Sequence, residues 1–172
     1  MIPEVGSLVS SLVYIFWPQG PQTTDVWAEV ATQTQQAIGQ SLDQFEQEQL
    51  DATLEGLATN LASYLLALQS GTGDPSYISE KWNVANGDFQ QQLPQFQLSG
   101  YQLLLLPQFA QFANMHLSLL RDGVLSGANW GWTPNIVAQT QTELTKAISS
   151  YTKYALQVYQ TGLSNVQNST PA

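Results

Sequence analysis

Residues 89–120 read FQQQLPQFQLSGYQLLLLPQFAQFANMHLSLL, 32 consecutive positions without Asp, Glu, Lys or Arg, in a chain of formal net charge −9. The run contains Leu103-Leu104-Leu105-Leu106, yet it is seeded with Gln, Asn, one His and the prolines Pro94 and Pro107. A purely apolar run of about 20 residues reads as a membrane span. An uncharged run studded with amides reads differently. It can pack inside a water-soluble helical core, and it can pass into a bilayer at moderate cost because no full charge is dehydrated. The segment suits two solvents.

Outward from this run, apolar residues recur at helical rather than strand spacing. Val5, Leu8, Val9, Leu12, Ile15 and Phe16 share one face before Trp17-Pro18. Asp25 is placed to cap a second helix with Trp27, Val30, Thr34, Ala37 and Ile38 inward. A third carries Leu50, Leu54, Leu57, Leu61, Leu65 and Leu68 and stops at Gly71-Thr72-Gly73. After Asp74-Pro75, Ile78, Trp82, Ala85, Phe89, Leu93 and Phe96 form a fourth stripe, which Pro94 ends or kinks. The fifth helix is expected over about Tyr101–Leu125. The sixth starts at Thr133-Pro134, buries Val137, Leu144, Ile148, Tyr151, Ala155, Val158 and Tyr159, and is capped by Gly162. These make an all-α bundle of about six amphipathic helices around a central hydrophobic helix. We expect a single domain over residues 1–163 and a flexible tail over 164–172.

The composition bounds the chemistry. At 172 residues the chain is long enough for one core. It has no cysteine, so disulfides and thiolate metal sites are excluded. Its basic residues are Lys81, Arg121, Lys146 and Lys153 alone. They are too few to neutralise a phosphate backbone, so no nucleic-acid partner is expected, and they form no cluster for anionic lipid. Residues 1–88 hold eleven acids against Lys81, whereas 89–172 hold Asp122 and Glu143 against three bases. The first part reads as a solvated outer layer and the second as buried or membrane-facing, although charge that simply tracks exposure gives the same pattern. Leu8–Trp17 is apolar enough for a signal core, but Glu4 stands where positive charge belongs, so no cleavable signal is expected. Asn168-Ser169-Thr170 fits a glycosylation sequon, a triplet that often arises by chance.

No nucleophile elbow, phosphate loop or metal-ligand cluster is present, so neither catalysis nor a cofactor or metal is expected. Asp43, Glu46, Glu48, Asp51 and Glu55 read as a solvated helix face. On the fifth helix, Gln108, Gln111, Asn114, Ser118 and Asp122 fall within an arc of roughly 120°. Phe109, Phe112, His116, Leu119 and Leu120 lie opposite. Such a helix either offers lipid its apolar side and keeps a polar seam for a neighbour, or is a core helix whose amides pair locally; periodicity favours the second. His116, the only histidine, reads as a neutral hydrogen-bonded core group, with a pH sensor as the other reading. Arg121-Asp122 reads as a structural ion pair closing the uncharged run.

The block Leu106-Pro107-Gln108-Phe109-Ala110-Gln111-Phe112-Ala113-Asn114-Met115-His116-Leu117, followed by Leu119-Leu120-Arg121-Asp122, resembles the fifth helix of the pore-forming domain of the three-domain insecticidal δ-endotoxins, the crystal (Cry-type) toxins of Bacillus. Trp130-Gly131, Tyr151-Thr152-Lys153-Tyr154 and Tyr159-Gln160-Thr161-Gly162-Leu163 extend the likeness into that family's sixth helix. Asp88-Phe89, Leu93-Pro94 and Phe96 match the end of its fourth, and Trp17-Pro18 and Asp25-Val26-Trp27 fit its first two. The 172 residues hold no segment like the family's seventh helix or its two β-rich domains, and few basic sites for proteolytic activation.

The resemblance implies a pore-forming domain. Helices four and five, here about 77–125, would insert as a hairpin into a target-cell membrane and oligomerise around a cation-permeable pore. It implies that Leu103, Leu104, Leu105, Leu106, Phe109, Phe112, Leu117, Leu119 and Leu120 enter lipid and that Asp88 faces the lumen. Asn86 stands where many members carry a second Asp. Asn114, His116, Arg121 and Asp122 are the polar switch candidates. The protein would be released in soluble form and then reach the target membrane, with a receptor engaged through the β domains. The other reading is a binding module that keeps the fold and does not insert.

Overall fold

The computed structural model describes residues 44–69 and 74–169. The first two expected helices and the Gly71-Thr72-Gly73 stop lie outside the described residues. Within them, four α-helices and no strand are present: α1 (Gln44–Gln69), α2 (Pro75–Gln92), α3 (Leu106–Ser126) and α4 (Pro134–Ser169). Short 3₁₀ turns cover Leu93–Gln97 and Gly127–Trp130.

Local chemistry sets the boundaries. Asp74 caps α2, its Oδ1 accepting from the Ser76 N–H at 2.9 Å, and Pro75 sits where no donor is needed. Pro94 converts the end of α2 into the 3₁₀ turn as the sequence implies, because proline cannot supply the next helical N–H. Gly131 adopts φ +85°, the left-handed conformation that reverses the chain before Thr133, whose Oγ1 accepts from the Ile136 N–H to start α4.

Helix α3 is the axis of the bundle, touched by α1, α2 and α4. From Leu106 to Leu120 every residue is buried or half-buried; only Arg121 and Leu125 of this helix are exposed. The largest fully buried side chains include Phe109, Phe112, Leu119 and Leu120 of α3, Tyr64 of α1 and Phe89 of α2.

The structure corrects the sequence expectations at four points. Helix α3 begins at Leu106 rather than near Tyr101, with residues 101–105 in turns, because the Pro107 ring would collide with the carbonyl four residues back. Helix α4 runs through Gly162 to Ser169, so Gly162 is not its cap. The glycine is a contact instead: a Cβ there would lie 2.7 Å from the Leu103 side chain. On α4, Thr140, Ala147, Tyr151 and Val158 face inward, leaving Ile148 (48%) and Tyr159 (57%) exposed. On α1 the stripe continues into Tyr64 and Ala67 while Leu68 points out, since a strict run at spacings of three and four drifts around the helix.

Two glycines give a matched test of packing against helix propensity. A Cβ on Gly123 would sit 2.8 and 2.9 Å from the Trp82 ring and 3.1 Å from Thr140 Cγ2. The ring is held, because Trp82 Nε1–H donates to the Leu119 carbonyl at 2.7 Å. Gly123→Ala is expected to destabilise by about 1–2 kcal/mol despite alanine's better propensity. Gly87 is exposed in mid-α2 with nothing within 4 Å, so Gly87→Ala should stabilise by about 0.5–1 kcal/mol. Urea midpoints of the two variants should move in opposite directions.

Candidate functional site

The uncharged run folds into two layers around the bundle axis. Leu104 and Leu105 are buried in the turns before α3, and Leu103 is half-buried against Gly162. Phe109, Phe112, Leu119 and Leu120 are buried, while Leu106 and Leu117 are half-buried. Phe112 is the hub of the apolar layer. Its ring lies 5.4 Å from Phe89, 4.9 Å from Phe96, 6.4 Å from Phe109 and 6.0 Å from Tyr151.

One turn further, the core turns polar. His116 is 3% exposed and joins three helices. Its Nδ1 lies 2.7 Å from the Tyr151 hydroxyl on α4 and its Nε2 2.8 Å from Asn86 Oδ1 on α2. Asn86 Nδ2 donates to Glu143 Oε1 at 3.3 Å, leaving its Oδ1 to accept, so Nε2 carries the histidine proton and Nδ1 accepts from Tyr151. Gln90 Nε2 donates to the same Glu143 oxygen at 2.5 Å.

Burial pushes the His116 pKa down to about 4. The Phe89 ring stacks flat on the imidazole at 5.0 Å, an arrangement that would favour a cation by only about 0.5–1 kcal/mol, less than the cost of dehydrating it. Burial, aided by the Glu143 charge, pushes the Tyr151 phenol up to about 12. The histidine is thus a neutral, hydrogen-bonded core group.

The other polar candidates separate. Asp88 is half-buried and its Oδ2 accepts from Asn60 Nδ2 of α1. Asn114 is half-buried, and its carbonyl accepts from Ser118 Oγ at 2.6 Å. Arg121 and Asp122 do not form the expected close ion pair. Arg121 is exposed, whereas Asp122 turns inward to accept from the Tyr64 hydroxyl at 3.4 Å. Adjacent positions on a helix diverge by about 100°, which explains the split. Burial raises the Asp122 pKa, with the Arg121 charge and the Tyr64 hydrogen bond opposing. Among the described residues the ion pair within 4.0 Å is Lys81–Glu80.

Sequence reasoning missed Glu143 and the buried position of Asn86. The signal was faint: after residue 88 the chain carries only the carboxylates Asp122 and Glu143. It also missed the tryptophan cluster at the α3–α4 turn. There Trp132 lies edge-on to Trp82 at 4.7 Å and to Trp130 at 5.3 Å, and its Nε1–H donates to Ser79 Oγ at 2.7 Å.

A family model described as delta endotoxin, N-terminal domain, matches residues 1–172. The chain belongs to this family. It is 34% identical over 156 residues to the pesticidal crystal protein Cry7Ab of Bacillus thuringiensis subsp. dakota, covering 87% of this chain and 14% of that protein. It is 33% identical over 171 residues to Cry2Aa of Bacillus thuringiensis subsp. kurstaki, covering 94% of this chain and 27% of that one. Among solved structures, the insecticidal crystal protein Cry7Ca1 of Bacillus thuringiensis superposes with a TM-score of 0.78 at 25% identity, over 98% of this chain and 29% of that chain. The all-α bundle is therefore that of the endotoxin N-terminal domain, and the chain spans about 14–27% of the length of these two curated relatives.

Proposed function

We infer that this endotoxin domain permeabilises membranes by releasing α2 and α3 as a hairpin. In this reading the hairpin, about 77–125, exchanges bundle contacts for lipid contacts and oligomerises into a cation-permeable pore. The observation that carries it is the enclosure of α3: from Leu106 to Leu120, the helical core of the longest uncharged stretch, every residue is buried or half-buried, and α1, α2 and α4, which carry charges of their own, pack against it. No helix among the described residues is long and apolar enough to cross a membrane by ordinary hydropathy. Leu106–Leu120 spans only about 22 Å as a helix, short of a hydrocarbon core of about 30 Å. Adding residues 101–105, which are turns in the soluble fold, lengthens the uncharged helix to about 30 Å. The amides then need partner helices, so insertion and oligomerisation go together. Asp88 releases Asn60 on leaving α1 and places a carboxylate in the lumen, favouring cations.

The test is dye release from liposomes by the purified chain, with Leu105→Asp and Asp88→Asn alongside. Wild-type release is expected, with cation-over-anion selectivity reduced severalfold in Asp88→Asn. Leu105→Asp should abolish release at a concentration where circular dichroism confirms folding. Silence of the wild type across lipid compositions would count against insertion by this domain alone.

A further inference from the structure

The hairpin meets α4, one of the helices it must leave, along a seam that turns from apolar at Phe109 and Phe112 to polar at His116. We propose that His116, Tyr151, Asn86 and Glu143 form an acid-sensitive latch that holds the α2–α3 hairpin on α4. The proposal rests on the reading that α2 and α3 move together and adds the device that controls their release.

The latch is a chain of hydrogen bonds with one direction. Tyr151 O–H donates to His116 Nδ1, His116 Nε2–H donates to Asn86 Oδ1, and Asn86 and Gln90 donate to Glu143. Each hydrogen bond of this chain that reaches α4 ends on Tyr151 or Glu143. Between α2 and α3 the His116–Asn86 bond keeps its donor when Nδ1 is protonated, and the Phe89–Phe112 pair and the Trp82–Leu119 hydrogen bond are indifferent to charge. A proton added to Nδ1 places two donors face to face. The Tyr151 O–H must rotate away, and the buried cation is left with neutral acceptors alone, the Tyr151 and Asn86 oxygens. Parting from α4 lets water reach the imidazole, so acid favours the open state.

The proton has a route. A groove of about 570 Å³ runs between α2 and α4, with His116 and Tyr151 at its floor and Glu143 and Lys146 on its rim. These are also the titratable and charged groups that α4 turns toward His116. The facing groups of α2 are Asn86, Phe89 and Gln90, none of which titrates, and Asp88 turns instead to Asn60. From α1, Tyr64 is turned toward Asp122 and Trp130.

The decisive experiment is amide hydrogen exchange on the full chain without lipid, at pH 7.5 and pH 5.0, on wild type, His116→Gln and Glu143→Gln. Glutamine at 116 keeps a donor and an acceptor and cannot titrate. In the wild type, protection of the facing α3 and α4 amides should fall roughly 30-fold on acidification and at pH 5.0 should lie below that of the α1 amides. His116→Gln should respond less than threefold, and Glu143→Gln should keep the acid response. Three results would overturn the latch: a response retained in His116→Gln, a response lost only in Glu143→Gln, or equal protection of the α1, α3 and α4 amides at pH 5.0, which is opening of the whole domain at once. Vesicle leakage reads the pore separately. Leakage without any acid-dependent exchange removes the latch alone, and acid-dependent exchange without leakage removes the pore and leaves the latch.

Discussion

Phe112→Ala is expected to cost about 3–5 kcal/mol, the largest loss of any single truncation in the core. Phe112 is 0% exposed and lies at the centre of the aromatic layer. Its ring faces Phe89 on α2, Phe96 in the 3₁₀ turn and Tyr151 on α4, so no single neighbour can move to fill the void. Removal loses the buried apolar area and the edge-to-face pairings, and leaves a cavity ringed by rigid groups. Phe112→Leu keeps most of the volume and should cost less than half as much. Guanidinium denaturation of the two variants, read by tryptophan fluorescence, checks the ratio. Equal small effects from both would mean that the core is loose around α3.

The second large effect is on stability as a function of pH. His116 titrates near 4 in the folded chain and near 6.5 when exposed, so between those values the unfolded chain binds the proton and the folded one does not. Stability from this group is therefore complete above about pH 6.5, falls as pH drops through the window, and is fully lost below about pH 4. The shift corresponds to about 3 kcal/mol. His116→Gln should flatten the curve across this window while costing about 1 kcal/mol at pH 7.5 for imperfect hydrogen bonds. Asp122, raised by burial, acts in the opposite sense, because a carboxylate that prefers its neutral form folded gains stability as pH falls. The His116 effect is therefore read as the difference between wild type and His116→Gln, in which the Asp122 contribution cancels. A curve unchanged by His116→Gln would show that the histidine is already hydrated in the folded state.

These two effects mark the boundary between what the chain announces and what its packing adds. The uncharged run 89–120 announces the central helix, because no position in it would carry a full charge away from water. The stripes Leu50-Leu54-Leu57-Leu61 and Trp82-Ala85-Phe89 announce inward faces that the fold respects. Asp74-Pro75 and Thr133-Pro134 announce where α2 and α4 begin, since capping is chemistry among neighbours in sequence. The family likeness was legible in the block from Leu106 to Asp122 for the same reason: a buried helix tolerates few substitutions along its whole circumference.

The tertiary structure alone decided the rest. Gly162 looks like a helix stop until Leu103, 59 positions earlier, is seen packed on it. Arg121 and Asp122 look like a pair until Tyr64 draws the carboxylate inward. Asn86 and Glu143 carry no local sign of meeting His116, 30 and 27 residues away, because their hydrogen bonds depend on how three helices cross. Periodicity records which way a side chain points. Which group it meets is set by contacts between helices distant in sequence, and those exist only once the bundle has closed.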